Sequence, residues 1–109
     1  MKIKVSEAEG EVLNWLVARA LGKRPSLFIL QQTGKLASEH NYSTDWALGG
    51  PIIEREKISI FQTEGICNAC FIGEKSVNGP TPLIAAMRCY VVSKLGDEVE
   101  VPEELQTPT

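Results

Sequence analysis

At 109 residues, with 43% apolar and 23% charged side chains, the chain has the composition of one small folded domain, not of a disordered segment. Its net charge of −3 is uneven, because five of the 14 acids (Asp97, Glu98, Glu100, Glu103, Glu104) follow Lys94, the last base, and the rest carries 11 bases against 9 acids. A near-neutral body with an acidic end argues against non-specific nucleic-acid binding, which needs clustered Lys and Arg to neutralise phosphates. No apolar run approaches the roughly 18 residues of a membrane-spanning helix. Three cysteines without an export signal point to a reducing cytoplasm and free thiols.

Lys2–Val5 alternates polar and apolar and predicts a short first strand. Ser6 with Glu9 three residues on has the form of a capping box, so a helix is expected over about 6–21, with Gly22 as its stop. Val12, Leu13, Leu16, Val17 and Ala20 share one face of that helix. Trp15 falls on the opposite side with Glu11 and Arg19. A tryptophan off the buried stripe needs a second cover, either from the chain itself or from a partner. "SLFIL" (Ser26–Leu30) predicts a strand. "QQTGKLASEHNYSTDWALGG" has no clear period and is expected as a long loop, a setting in which function concentrates. Two strands, Lys57–Gln62 and the apolar Gly65–Gly73, come next, and "VNGPTP" predicts a turn.

The second helix, 82–95, has the clearest signature. Thr81 caps it, Pro82 stands where its missing N–H costs nothing, and Gly96 ends it. Leu83, Ile84, Met87, Val91 and Leu95 form one apolar face, and Ala85, Ala86, Cys89 and Ser93 a second of small side chains. Such a helix is packed on both sides, inside the domain or at a subunit interface. The expected fold is α+β: a small, mostly antiparallel sheet of four or five short strands with two main helices, in one domain over 1–96. Residues 97–109 form an acidic, proline-containing segment, in which "EVEV" can add an edge strand before Pro102.

The side chains offer few chemical constellations. Cys67 and Cys70 with Cys89 and His40 make a formal Cys3His set. In an extended "ICNACFI", however, positions three apart point to opposite faces, and Cys89 lies mid-helix. Buried thiols are the plainer reading, with no metal and no cofactor expected. His40 has no nucleophile partner in view, and neither glycine turn carries the Lys-Ser/Thr of a phosphate loop. What remains is "DWALGGP" and "GPTP". Glycines allow close backbone approach, and a helix start offers N–H groups and a positive dipole end to an anion. The candidate ligand set is therefore Asp45, Trp46, Gly49, Gly50, Pro51, Arg55, Gly79, Thr81 and Arg88: Trp46 to stack on a base, Asp45 to accept from a hydroxyl, the arginines to pair with phosphate. The plain alternative is that both turns only reverse the chain.

"STDWALGGPIIERE" (Ser43–Glu56) and "GPTPLIAAMRCYVVSKLGDEVEVPEEL" (Gly79–Leu105) together resemble the NinX-like family of small tailed-phage proteins of unknown function. "KIKVSEAEGEVLNWLVARALG" is similar to that family's opening helix. This chain departs from the family pattern at Asn14, Leu48 and Lys57, where an aspartate, a glutamine and a glycine are usual. The resemblance implies an accessory protein expressed during infection, in the host cytoplasm, binding and not catalysing. Two readings follow. One is an oligomeric pocket protein that sequesters a small anionic, nucleotide-derived ligand such as a host immune signal. The other is an inhibitor or adaptor that contacts a host protein through Trp15, the long loop and the acidic segment.

Overall fold

The computed structural model describes residues 2–22, 27–29, 36–38, 41–71 and 76–101. In chain order the elements are β1 (Lys2–Lys4), a 3-10 turn (Val5–Glu7), α1 (Gly10–Ala20), β2 (Leu27–Ile29), β3 (Leu36–Ser38), α2 (Trp46–Glu56), β4 (Ser59–Thr63), β5 (Ile66–Cys70), β6 (Val77–Gly79), α3 (Pro82–Leu95) and β7 (Glu98–Glu100). The fold is α+β, and among the described residues every strand pairing is antiparallel: β1 with β7, β2 with β3, and a three-stranded sheet in the order β4–β5–β6.

α3 is the centre of the molecule. Ala85 through Val91 are all buried, with Leu83 before them, so the helix has no solvent face over two turns. The two-faced pattern of large and small side chains is resolved inside the chain: α3 packs on the β4–β5–β6 sheet, on α1 and on α2. Burying Leu83, Met87 and Val91 stabilises the fold by about 1.5–3 kcal/mol each relative to exposure. The start of α3 is as its sequence predicts, with Pro82 in the first turn and Thr81 Oγ1 accepting from Ile84 N–H at 3.1 Å.

α1 buries the expected stripe, with Leu13, Leu16 and Val17 at or near zero exposure. Its start differs from expectation. Ser6 belongs to the 3-10 turn, Glu9 is the N-cap residue, and neither side chain caps, so the helix begins at Gly10. Its opposite side is covered as well. Trp15 is only 7% exposed, with the Arg19 guanidinium 5.5 Å from its ring centroid.

The larger correction is α2. The stretch Trp46–Glu56, expected as loop, is three turns of helix. Asp45 caps it, its carboxylate accepting from Ala47 N–H at 2.9 Å, and Lys57 ends it in the left-handed conformation (φ 56°). Pro51 lies inside and cannot donate to the Ala47 carbonyl one turn back, a cost that packing of the buried Ile52 and Gly49 offsets. "GGP" reads as a turn only when tertiary contacts are ignored.

The β4–β5–β6 sheet has one covered face and one open one. Cys67 and Ala69 point inward to α3 and are buried, whereas Ile66, Asn68 and Cys70 alternate outward, so β5 is not the fully buried strand its apolar run suggested. "VNG", expected as part of a turn, is β6, with Asn78 opposite Asn68. At the other end of the fold, Val99 and Val101 are buried as β7 pairs with β1.

Candidate functional site

α2 and α3 run side by side in the same direction. Gly49 sits against Leu83, the Arg55 guanidinium reaches the Tyr90 hydroxyl at 3.4 Å, and Glu56 lies 3.9 Å from Lys94 Nζ. The two helix starts, at Asp45–Trp46 and Thr81–Pro82, therefore lie toward one end of the pair. The blocks "DWALGGP" and "GPTP" do meet, through Gly49 and the first turn of α3.

Most of the candidate ligand groups are consumed in making that junction. A side chain at Gly49 would come within 2.6 Å of Leu83 Cδ1 and 2.8 Å of the Tyr42 carbonyl oxygen, so the glycine is a packing residue. Gly79 is tighter: a Cβ there would stand 2.8 Å from Ala85 N and 3.0 Å from Ala85 Cα, against backbone that cannot step aside. Thr81 Oγ1 and one carboxylate oxygen of Asp45 are spent on the caps, and with them the Ile84 and Ala47 N–H groups that an anion could have used. Gly50 and Pro51 face outward on α2, and a Cβ at Gly50 would meet only the Trp46 ring, at 3.9 Å.

The two arginines have opposite fates. Arg88 is 6% exposed: its Nε donates to the Ala8 carbonyl at 2.7 Å and its Nη1 to the Asn78 carbonyl at 3.0 Å, joining α3 to the approach of α1 and to β6. Burial pulls its pKa down, opposed by Glu9 and Glu7. Arg55 is exposed, and its 2.9 Å bond to Glu56 is the main cause of its raised pKa. Tyr90 beneath it is buried, which pushes its phenol up, with Glu56 adding and Arg55 opposing.

Trp46 stands apart from this junction. At 52% exposure in the first turn of α2, it has Ala47, Gly50 and Pro51 as neighbours on the same outward side, with the exposed Glu54 one turn beyond Gly50. Trp15, the expected partner contact, is instead covered by the chain itself.

One residue was missed as a determinant of this region. Asn14, buried on α1, accepts from both the backbone N–H and the hydroxyl of Ser43 at 2.8 Å, and donates to Asn41 Oδ1 at 3.4 Å. Asn41 in turn accepts the Thr44 and Asp45 N–H groups through its carbonyl. Asn14 thereby fixes the turn that launches α2. Its departure from the family's usual aspartate was the available signal.

The cysteines are free, with Cys67 inside the sheet and Cys70 outside. Among the described residues no group of three or more His, Cys, Asp or Glu is placed to hold a metal ion, and His40 lies outside them. No helix among the described residues is long and apolar enough to cross a membrane. A groove of about 590 Å³ opens elsewhere, between Lys2 and Lys4 of β1, Glu7 of the 3-10 turn, and Glu9 and Val12 at the start of α1. It carries both signs of charge and none of the candidate ligand residues.

Residues 4–94 of the chain match the family model described as Bacteriophage P22, NinX, which takes in α1, α2, α3 and the three-stranded sheet. No curated protein matches the chain.

Proposed function

The chain belongs to the bacteriophage P22 NinX family and is a phage accessory protein; we propose that it acts by binding a host protein through the outward side of α2. The exposure of Trp46 carries this reading. A half-exposed tryptophan flanked by Ala47, Gly50 and Pro51, with the Glu54 carboxylate two turns along the same side, offers a large rigid apolar contact with small neighbours that let a partner come close. Such residues dominate protein–protein binding energy. Small ligands, in contrast, are held in concavities with converging polar groups, and here Asp45, Thr81 and Arg88 direct theirs into caps and buried bonds.

The test is capture from infected cells with the purified chain as bait. A stoichiometric partner should lose affinity roughly tenfold or more on Trp46→Ala and be kept on Lys2→Ala, at the far β1 edge. A partner indifferent to Trp46→Ala would remove this face from the mechanism.

A second reading has its own observation. α2 and α3 lie parallel, so the positive ends of two helix dipoles share one end of the molecule, beside an exposed indole that can stack on a base. That combination favours a small nucleotide-derived anion, sequestered without turnover. Thermal-shift and calorimetric titration with cyclic nucleotides and ADP-ribose derivatives, read alongside Trp46 fluorescence, decides it. Silence across that panel disposes of the sequestration reading, and recovery of a chemically altered ligand would turn it into an enzyme.

A further inference from the structure

β4 is an unprotected sheet edge. Among the described residues its outer side pairs with nothing, and Ser59-Ile60-Phe61-Gln62-Thr63 contains no charge and no proline. Soluble proteins ordinarily blunt such edges with Lys, Pro or a bulge. The opposite edge, β6, is blunted: it is only three residues long, Pro80 follows it, and Gly79 is packed against the first turn of α3. β4 is also open on both faces, since Phe61 on the outer face is 42% exposed, Gln62 on the inner face is exposed and Ile60 only half-buried.

We propose that β4 is a self-association edge, pairing antiparallel with β4 of a second copy about a two-fold axis at Phe61. The phase of the hairpin permits this. Glu64 (φ 53°) and Gly65 (φ 81°) form a two-residue turn with both residues left-handed, closed by Thr63 opposite Ile66. In that geometry Thr63, Phe61 and Ser59 direct their backbone groups toward β5, and Ile60 and Gln62 direct theirs outward. A two-fold axis at Phe61 sets Ile60 of each copy opposite Gln62 of the other, so all four outward N–H and C=O pairs close. Phe61 then faces its own counterpart in a non-hydrogen-bonded pair, where cross-strand side chains come closest.

The side chains agree with that register. On the outer face Ile66, 49% exposed, lies diagonal to Phe61, so the two copies join their exposed apolar residues into one strip. The edge is thus complementary to itself in backbone phase and apolar surface, which identifies a second copy as its occupant.

Sedimentation of the full chain across a concentration series should show a monomer–dimer equilibrium. Amide exchange by NMR should show protection rising with concentration at Ile60 and Gln62, while the Phe61 amide, already bonded to β5, does not change. Phe61→Lys replaces the facing aromatic pair with like charges and should weaken association roughly tenfold. Gln62→Pro removes an outward N–H while leaving the bonds to β5 in place, and should weaken association as well; circular dichroism verifies that each variant folds. A chain that stays monomeric throughout overturns the proposal and leaves the edge to a foreign strand. A dimer that ignores these substitutions, or one whose Ile60 and Gln62 amides gain no protection, overturns it equally.

Discussion

α2 and α3 begin alike and end up in opposite situations. Each has a side-chain cap and a glycine at close quarters, and each carries a proline. At α3 the Pro82 turn is sealed: Gly79 lies against the Ala85 backbone, and Arg88 is held by two carbonyls. At α2 the cap is followed by Trp46, which stands in solvent on a helix that uses only its other side for packing. The same local grammar therefore makes a foundation in one place and a contact surface in the other. What separates them is whether neighbouring elements consume the polar groups and cover the large side chain.

The sharpest way to break this contrast is at the foundation. Arg88→Ala strands the Ala8 and Asn78 carbonyls and leaves a void, so equilibrium denaturation should show a loss of about 3–5 kcal/mol. Trp46→Ala, on the open side, should cost under about 1 kcal/mol in the same assay. If the two losses are comparable, the division between foundation and surface fails.

Adjacent glycines give the next test. Gly49→Ala pushes a methyl into Leu83 and the Tyr42 carbonyl and should destabilise by about 1–3 kcal/mol. Gly50→Ala meets only open space and the Trp46 ring, and should gain about 0.5–1 kcal/mol from helix propensity. Opposite signs one residue apart, read as midpoint shifts in urea, would locate the α2–α3 seam. A smaller gain, up to about 1 kcal/mol, is expected for Lys57→Gly, because Lys57 occupies the left-handed cap where glycine is unstrained.

The smallest expected effect lies in the alkaline range. Tyr90 has a folded pKa raised by burial, so its contribution to stability is whole below the ordinary tyrosine pKa of about 10 and is lost as pH rises through the folded value. Tyr90→Phe should flatten the fall in stability above that pH, measured as melting temperature against pH. A variant that keeps the full alkaline slope would assign it to other groups.

The parts legible in the sequence were those set by local rules. The Thr81–Pro82 start of α3, its Gly96 end and the α1 stripe each rest on residues within a turn or two of one another. α2 was not legible, because Gly49, Gly50 and Pro51 are poor helix formers and only the contact with Leu83 explains why they are helical. Arg88 was misread for a similar reason: its partner Ala8 is 80 residues away, and nothing nearby in sequence distinguishes a buried arginine from one waiting for phosphate. Trp15 looked uncovered because a helical wheel counts one buried side, and α1 is packed on two. The caps Asp45 and Thr81 were read as ligand groups at positions where cap and anion site share the same geometry.

The pairing of β1 with β7 sets Lys2 opposite Glu100 and Lys4 opposite Glu98. A strand from the opening of this sequence thus waits for one made nearly a hundred residues later. During synthesis its N–H and C=O groups stay open to water, and the 3-10 turn behind it has no Asp97 carbonyl to receive the Val5 N–H. Closing so long a loop is slow and comes late. The β1–β7 pairing is therefore the most non-local among the described strands, and its contacts form only once the chain between them has been drawn together.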